Sequence, residues 1–294
     1  MNAAKPIWLI EDFDEDNSRL SLIEEVRRQG MQCEVICPIC YSYLPYLSTK
    51  LPSGKRICDL FENDACVIFQ GSLNLARQLQ REKSWIPGVW CSLHNFKCSV
   101  YYPYFAKFLL NSEYFFVPVA DLLRRKDELY RRFAVDTCLF VRPDSGFKTF
   151  TGRPIPYEEF SSDYEWMVEF SDPDSLALIS NPKPIDAEYR FVVAERKVIA
   201  GSTYRIDGDL KYIPVDLKSD RDRGAWEFLD SVFEEKEIWT PDPVFVVDVC
   251  ISNDNYYILE LNSFSCSGLY ACDLQAVVKS ASDLAVKEWL DCRS

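Results

Sequence analysis

The sequence is poor in residues on which much hydrolytic chemistry depends. It contains one histidine, His94, and neither a Ser-His-Asp triad nor an HExxH zinc motif is present. We therefore do not expect catalysis that requires an imidazole. The GxGxxG fingerprint of dinucleotide-binding Rossmann domains and the GxxxxGK[ST] Walker A loop are also missing.

Segments that direct a chain to or through a membrane are missing as well. Residues 1–10 lead into an acidic run at 11–16, without the pattern of a signal peptide. No apolar run approaches the roughly 18 residues of a transmembrane helix. The net charge of −13 argues against a general binder of nucleic acid or anionic membranes, although it permits a local basic pocket for a nucleotide. With 48% hydrophobic residues, we expect a globular cytoplasmic protein.

Twelve cysteines are many for a cytoplasmic protein, and we expect reduced thiols. Several, such as Cys66, lie in apolar runs where cysteine acts as a small hydrophobic residue. Cys33, Cys37 and Cys40 have the spacing with which radical SAM enzymes hold an iron–sulfur cluster, and zinc or redox use stays open. Ile39 occupies a position that is usually aromatic in that pattern, which argues against a metal site and favours ordinary reduced thiols.

The first 115 or so residues alternate between strand and helix patterns. Strands are predicted at 6–10, 32–37, 66–69 and 88–91, and helices at 16–29 and 72–83. This alternation predicts a parallel α/β domain. The Tyr-, Phe- and Pro-rich residues 92–118 indicate an irregular connection.

The remaining residues predict a mixed α+β region without an internal repeat. Helices are expected at 119–132, 156–170, 223–234 and 273–291, and strands at 138–141, 176–180, 187–194, 197–205, 244–251 and 256–262. Residues 145–152 form a loop that contains glycine and threonine.

The most informative segment is the predicted hairpin at 244–262. If its turn centres on Asp254, then Asp248 lies opposite Glu260 on one sheet face, with Cβ atoms about 5 Å apart. Like charges on apolar strands are destabilising, and a divalent cation is the simplest remedy. Asn262 projects to the same face, so three oxygen ligands suited to Mg²⁺ meet there. The alternative is a surface hairpin with solvated acids.

Basic residues lie at strand ends in the middle of this acidic chain. Arg142 ends one strand, and Lys148 lies in the loop that follows; both suit phosphate, with backbone N–H groups completing the cradle. A solvated hairpin is the alternative. Glu188 and Arg190 share a strand face, and Arg205 ends the next strand. This pair of strands predicts an anion site, or otherwise a structural Glu–Arg pair.

The order of these motifs resembles that of the ATP-grasp superfamily, within it the clade with a shared arginine and two lysines. The resemblance covers roughly residues 115–275. It implies an α/β and α+β architecture in which two α+β subdomains sandwich ATP. The implied domains are residues 1–115 for the preceding α/β domain, 116–183 for the subdomain with the phosphate loop, and 184–294 for the subdomain with the metal site.

The resemblance also implies a role for each site residue. Mg²⁺ would bind Asp248, Glu260 and Asn262, whereas phosphates would contact Lys126 and Lys148. Arg142 would hold a phosphate or the substrate carboxylate, and Arg190 and Arg205 the γ-phosphate and an acyl-phosphate. The adenine hinge would be Leu178, Ile179 and Ser180, and the nearest acids for the ribose are Asp186 and Glu188.

The implied activity is that of an ATP-dependent carboxylate–amine ligase using ATP and Mg²⁺. A carboxylate attacks the γ-phosphate, the loop at 145–152 closes as a lid, and an amine then attacks the acyl-phosphate. The substrates would be small molecules, peptides or protein termini, and a homodimer is left open. The alternatives are a nucleotide-regulated binding protein on the same scaffold and a phosphotransferase.

Overall fold

A computed structural model describes residues 5–12, 17–36, 54–147, 149–172, 174–235 and 238–294. These residues form three β-sheets and seven α-helices, in the mixed α/β and α+β arrangement that the sequence predicts. Lys148, Cys37 and Cys40 lie outside the described residues, and Cys33 lies in a strand. Within the described ranges, no helix combines the length and the apolar character needed to cross a membrane.

The N-terminal sheet is parallel, as predicted. Its strands are β1 (Ile7–Glu11), β2 (Gln32–Ile36), β3 (Cys66–Gln70) and β4 (Ile86–Gly88), in the order β2-β1-β3-β4. The helices are α1 (Asn17–Arg28) and α2 (Leu73–Glu82). The predicted fourth strand is present, but its predicted bounds of 88–91 were wrong: it spans Ile86–Gly88 and ends at Gly88, whose φ of 70° lies in the left-handed region that breaks a strand.

The connection between the first and second sheets contains a helix that the sequence did not predict. Helix α3 spans Cys98–Phe105 despite an internal proline, Pro103. Tyr101, Tyr102 and Phe105 are fully buried along one side of it. Burial of these rings outweighs the poor helix propensity of aromatic residues and proline.

The second sheet is antiparallel, in the order β5-β8-β6-β7. Its strands are β5 (Tyr114–Pro118), β6 (Cys138–Pro143), β7 (Arg153–Pro156) and β8 (Leu176–Ser180). The predicted helix at 119–132 is a 3-10 turn at Val119–Asp121 followed by α4 (Lys126–Phe133). Helix α5 spans Phe160–Phe170, and the loop between β6 and β7 joins a hairpin.

The third sheet is antiparallel and lies between two hydrophobic cores. Its strands are β9 (Ala187–Ala194), β10 (Lys197–Ile206), β11 (Asp209–Pro214), β12 (Val244–Ser252) and β13 (Asn255–Ser263), in the order β11-β10-β9-β12-β13. Helices α6 (Asp220–Glu234) and α7 (Leu274–Asp291) complete the chain. Successive side chains of β12 point to opposite cores. Phe245 and Val247 pack with α3 and α6, whereas Val244 and Val246 pack with α1 and α7.

A buried carboxylate joins the segment after β4 to the segment before β12. Asp242 is 8% exposed and accepts a hydrogen bond of 3.0 Å from the backbone N–H of Ser92. Next to it, the Asn95 amide donates to the carbonyl of Pro241 at 2.6 Å. Burial raises the pKa of Asp242 to about 6, although the bonds from Ser92 oppose the shift.

This raised pKa predicts how stability responds to pH. Between about pH 4 and 6 the carboxyl ionises in the unfolded chain but keeps its proton in the folded one, so stability falls as the pH rises. Asp242→Asn keeps an acceptor for Ser92 and cannot ionise. We expect it to raise the free energy of unfolding by about 3 kcal/mol at pH 7 and to leave it almost unchanged at pH 4. Denaturant unfolding at both pH values checks this; equal effects at the two would contradict it.

Candidate functional site

The β12–β13 hairpin places Asp248 opposite Glu260, as predicted, but it does so with a two-residue turn and a β-bulge that were not predicted. The turn residues Asn253 and Asp254 have φ values of 49° and 60°, as in a type I′ turn, and Ser252 pairs with Asn255. That register alone would place Leu259 opposite Asp248. A bulge after Asp248 shifts the pairing by one residue and brings Glu260 into line.

Asn262 bridges the two acids. Its Nδ2 donates to Asp248 Oδ2 and to Glu260 Oε1, in both cases at 3.0 Å. Asp248 is 1% exposed, and the Glu260 side chain is 18% exposed. The three predicted metal ligands therefore meet at one point of the sheet.

Two arginines neutralise these acids from different strands. Arg190 pairs with Asp248 across β9 and β12, and its Nε and Nη2 each donate to the carboxylate at 2.8 Å. Arg142, on β6 of the second sheet, donates from Nη2 to Glu260 Oε2 at 3.0 Å. The like-charge conflict on which the sequence argument rested is thus relieved by arginine, and by itself it does not require a metal.

The Arg190–Asp248 pair is bidentate and desolvated, the strongest form of this interaction. Burial disfavours the charge on Arg190, yet the adjacent Asp248 carboxylate outweighs it and raises the pKa of Arg190. The ring of Tyr270 packs against the guanidinium, with its centroid 4.5 Å from Arg190 Cζ. Arg190 Nη1 donates to the carbonyl of Gly268 at 3.1 Å. Arg190 is therefore fixed by contacts with three residues, and it still borders the cavity.

The cluster borders a cavity of about 190 Å³ at the junction of the three sheets. The N-terminal region supplies apolar side chains, the second sheet supplies Arg142 and the start of the loop, and the third sheet supplies most polar groups. The lining residues are Leu73, Leu93, Phe96, Arg142, Ser145, Gly146, Arg190, Leu261, Asn262, Ser263, Cys266, Ser267, Gly268 and Tyr270.

The start of the predicted phosphate loop is fixed against α3. The buried Asp144 carboxylate accepts hydrogen bonds from the N–H and the hydroxyl of Ser99 at 2.8 and 2.6 Å, which caps the first turn of α3. A Cβ added to Gly146 would lie 2.9 Å from the Leu93 carbonyl, so this position requires glycine. The phosphate role of Lys148 stays a prediction.

Glu188 and Arg205 form the ion pair that the sequence left open. Arg205 Nε lies 3.1 Å from Glu188 Oε1, and the hydroxyl of Tyr204 also donates to Glu188. A bulge in β10 next to Tyr204 sets Arg205 opposite Glu188. This pair corresponds to the structural Glu–Arg pair that the sequence analysis gave as the alternative, with Arg205 as the partner of Glu188, and the anion-binding role of Arg205 stays a prediction.

The predicted adenine hinge and Lys126 lie outside this cluster. Strand β8 is central in its sheet, so the main-chain groups of Leu178 and Ile179 face the neighbouring strands β5 and β6. Ser180 donates from Oγ to Asn111 Oδ1 at 3.0 Å. The Lys126 ammonium lies 3.9 Å from the ring centroid of Tyr157, in a cation–π contact.

Several contributors escaped the sequence prediction. Asp144 and the cavity-lining residues after β13 had no spacing that marked them. The tyrosines of α3 that cover Arg142 were hidden in a segment that did not look helical.

The side chains at the cluster fit a magnesium ion. Two carboxylates and one amide supply oxygen ligands, and Mg²⁺ fills its other positions with water or phosphate. Asn262 presents its nitrogen to both acids, so its amide group would rotate by about 180° to offer its oxygen. Among the described residues, no three His, Cys, Asp or Glu side chains group as a metal site, so such a site depends on the amide.

Comparisons with known proteins identify the family and the fold. Residues 125–280 match the family model of the ATP-grasp domain, family 2 of the clade that is named for an arginine and two lysines. No curated protein matches the sequence. Among solved structures, D-cycloserine synthetase DcsG is similar with a TM-score of 0.61 and 13% identity, covering 95% of this chain and 99% of that one.

Two ligases solved with ligands share the fold. The ATP-grasp ligase PsnB, complexed with minimal precursor, Mg and ADP, has a TM-score of 0.52 and 12% identity, with 95% of this chain and 98% of that chain covered. D-alanine–D-alanine ligase from Bacillus anthracis, complexed with ATP, has a TM-score of 0.54 and 13% identity, with coverages of 98% and 95%. At these identities the likeness shows the fold. The family match spans more than half of the sequence, and the chain belongs to the ATP-grasp superfamily, in family 2 of the arginine and two-lysine clade.

Proposed function

We propose that the protein is an ATP-dependent carboxylate–amine ligase. One carboxylate would be activated as an acyl-phosphate, and an amine would displace the phosphate to form an amide or peptide bond, with release of ADP and phosphate. The observation that carries the proposal is the convergence of Asp248, Glu260 and Asn262 with two arginines on one cavity. Membership of a family whose structural neighbours include ligases supports it.

Charge compensation is the main task of such a site. A carboxylate that attacks a phosphoryl group brings negative charges together, and fixed cations lower the cost. Bound Mg²⁺ would neutralise phosphate oxygens and share the carboxylates of Asp248 and Glu260. As those carboxylates turn to the metal, Arg190 and Arg142 keep their positions and present N–H donors to phosphoryl or carboxylate oxygens.

The remaining roles are assigned to residues around this centre. Arg205 would hold the transferred phosphoryl group with Arg190, and Lys126 and Lys148 would contact the other phosphates. Ser180 and the residues directly after β8 would meet the adenine, and Glu188 is the candidate ribose contact. The domain boundaries near residues 115 and 183 follow the same proposal.

Water exclusion would protect the acyl-phosphate. The ring of Phe147 lies under the guanidinium of Arg77 on α2, 4.4 Å away, so the loop start reaches the N-terminal region. Closure of this loop over the cavity would supply that exclusion of water. The acid and amine substrates would enter from the N-terminal region, where Leu73 and Phe96 provide apolar walls.

A second candidate is a nucleotide-regulated binding protein without turnover. The observation that favours it is the bidentate contact of Arg190 with Asp248, because a side-chain cation already satisfies a metal ligand. In that case Mg²⁺ and nucleotide would compete with the arginine and bind weakly. The two candidates differ in whether bound ATP is consumed.

Asn262→Ala tests the metal–nucleotide site, because it removes one proposed ligand and leaves both arginine pairs in place. We expect Mg²⁺ with ATP at 100 times the dissociation constant to stabilise the wild-type protein by about 2.7 kcal/mol, and the variant by less than half of that. Thermal unfolding with and without Mg²⁺ measures the difference. Asn255→Ala, in the same hairpin but outside the cluster, is the matched control. Equal stabilisation of all three proteins would contradict the proposed metal role of Asn262.

Turnover separates the candidate activities. We expect ADP release to require both an acid and an amine from a suitable panel, and Glu260→Gln to lower its rate by about 100-fold or more, because a proposed carboxylate ligand of Mg²⁺ is lost. ADP release is measured with each substrate omitted in turn. Release that needs no amine would indicate a phosphotransferase. Binding of Mg²⁺ and ATP without any ADP release across the panel would favour the binding protein.

The buried ion pair predicts a specific pattern of stability. Asp248→Leu and Arg190→Met each strand one buried charge, and we expect each to lower the free energy of unfolding by about 3–5 kcal/mol. The double variant Arg190→Met with Asp248→Leu removes both charges and should lose less than the sum of the single changes. Denaturant unfolding of the four proteins measures the coupling; additive losses would show that the pair does not act as a unit.

A further inference from the structure

Two cysteines from distant parts of the chain meet beside the cavity. Cys91 follows β4, and Cys266 follows β13, yet their Sγ atoms are 3.8 Å apart. Cys91 is fully buried, whereas Cys266 is partly exposed and lines the cavity. A reagent that enters the cavity therefore reaches Cys266 first and has Cys91 directly behind it.

The backbone holds this pair in register. The N–H of Ser265 donates to the carbonyl of Trp90 at 3.3 Å, and the N–H of Trp90 donates to Ser265 Oγ at 3.0 Å. These residues directly precede Cys266 and Cys91, so the two thiols face each other as the next pair along two adjoining segments. The Gly71 N–H also donates to the Ser265 carbonyl at 2.8 Å, which anchors the C-terminal loop to the N-terminal sheet.

The two thiols are chemically unequal. The Cys266 thiol donates a hydrogen bond to Cys91, which lowers the pKa of Cys91 and, together with burial, raises that of Cys266. A thiolate on Cys91 is thus stabilised next to a second sulfur. The accessible Cys266 is therefore the proton donor of the pair, and the buried Cys91 is the acceptor that can take its proton.

We propose that Cys91 and Cys266 form a thiol modification site that reacts with low-molecular-weight disulfides. The Cys91 thiolate takes the shared proton as the Cys266 sulfur attacks one sulfur of the disulfide RSSR, which forms a mixed disulfide and releases one RS⁻; this RS⁻ then takes the proton from Cys91 and leaves as RSH. The Cys91 thiolate attacks the Cys266 sulfur, which forms the intrachain disulfide and releases the second RS⁻. The thiolate–thiol pair loses one proton and two electrons, and RSSR takes them up as RSH and RS⁻.

The bond would act on the cavity. A disulfide has an S–S length of about 2.05 Å, so the two segments must draw closer than their present contact. The loop after β13 also carries Ser267 and Gly268, and the Gly268 carbonyl accepts from Arg190. Oxidation would therefore tie this loop to the N-terminal region and restrict access to the cavity; its effect on ligation rests on the proposed function.

Peptide mapping of the full-length protein after treatment with oxidised glutathione tests the site without any substrate. We expect a Cys91–Cys266 linkage without retained glutathione, and a rise of about 5 °C or more in the unfolding midpoint that dithiothreitol reverses. Cys91→Ser should form no linkage and show no rise. Cys292→Ser, which removes an exposed cysteine outside the cavity lining, should behave as the wild type does.

Two results would overturn the proposal. One is a stable glutathione adduct on Cys266 that Cys91 does not displace. The other is an unmodified pair under conditions in which Cys292 reacts completely. Thermal unfolding with Mg²⁺ and ATP, measured on the reduced and the oxidised protein, tests the proposed function separately. If the linkage forms but Mg²⁺ and ATP stabilise neither form, the thiol site is supported and only the ligase proposal is contradicted.

Discussion

The structure around the cavity depends on one desolvated ion pair, Arg190 with Asp248. A buried charge without a partner costs several kcal/mol, so the strands that carry these residues must remain in register. Asn262 extends the network to Glu260, and Arg142 extends it to the second sheet. A chain of polar contacts thus fixes the relation between two sheets at the point where the cavity opens.

The same network constrains how a ligand can bind. A cation that approaches Asp248 meets a carboxylate whose two oxygens already accept from Arg190. Binding must therefore weaken that contact or share it, and the phosphate of an incoming nucleotide can take the freed guanidinium donors. Metal and nucleotide would then bind better together than either alone, because each compensates the charge that the other displaces.

Local sequence patterns predicted most of the helices and strands, whereas contacts between residues far apart along the chain could not be predicted. The parallel N-terminal sheet and the 244–262 hairpin follow from apolar runs and turn residues, so they were readable from the sequence. The pairing of Arg142 with Glu260 joins residues that are far apart in sequence, and no local signal marks it. Helix α3 was missed because a segment rich in aromatic residues, with Pro103 inside it, has the composition of a loop. Burial of its aromatic rings in tertiary packing stabilises it as a helix.

Helix α3 also explains why the cavity needs the whole chain. Asp144 accepts hydrogen bonds from Ser99 at the start of α3 and follows Arg142 by two residues, so the helix sets where β6 ends and where the loop begins. The segment that connects the first sheet to the second therefore helps to set the position of Arg142 next to Glu260. Asp248 is matched by Arg190 within the third sheet, whereas Glu260 is matched by Arg142 only when the second sheet is docked on the third. The first sheet and its connection supply no cation to these acids; they supply Ser99, which holds Asp144, and apolar walls of the cavity.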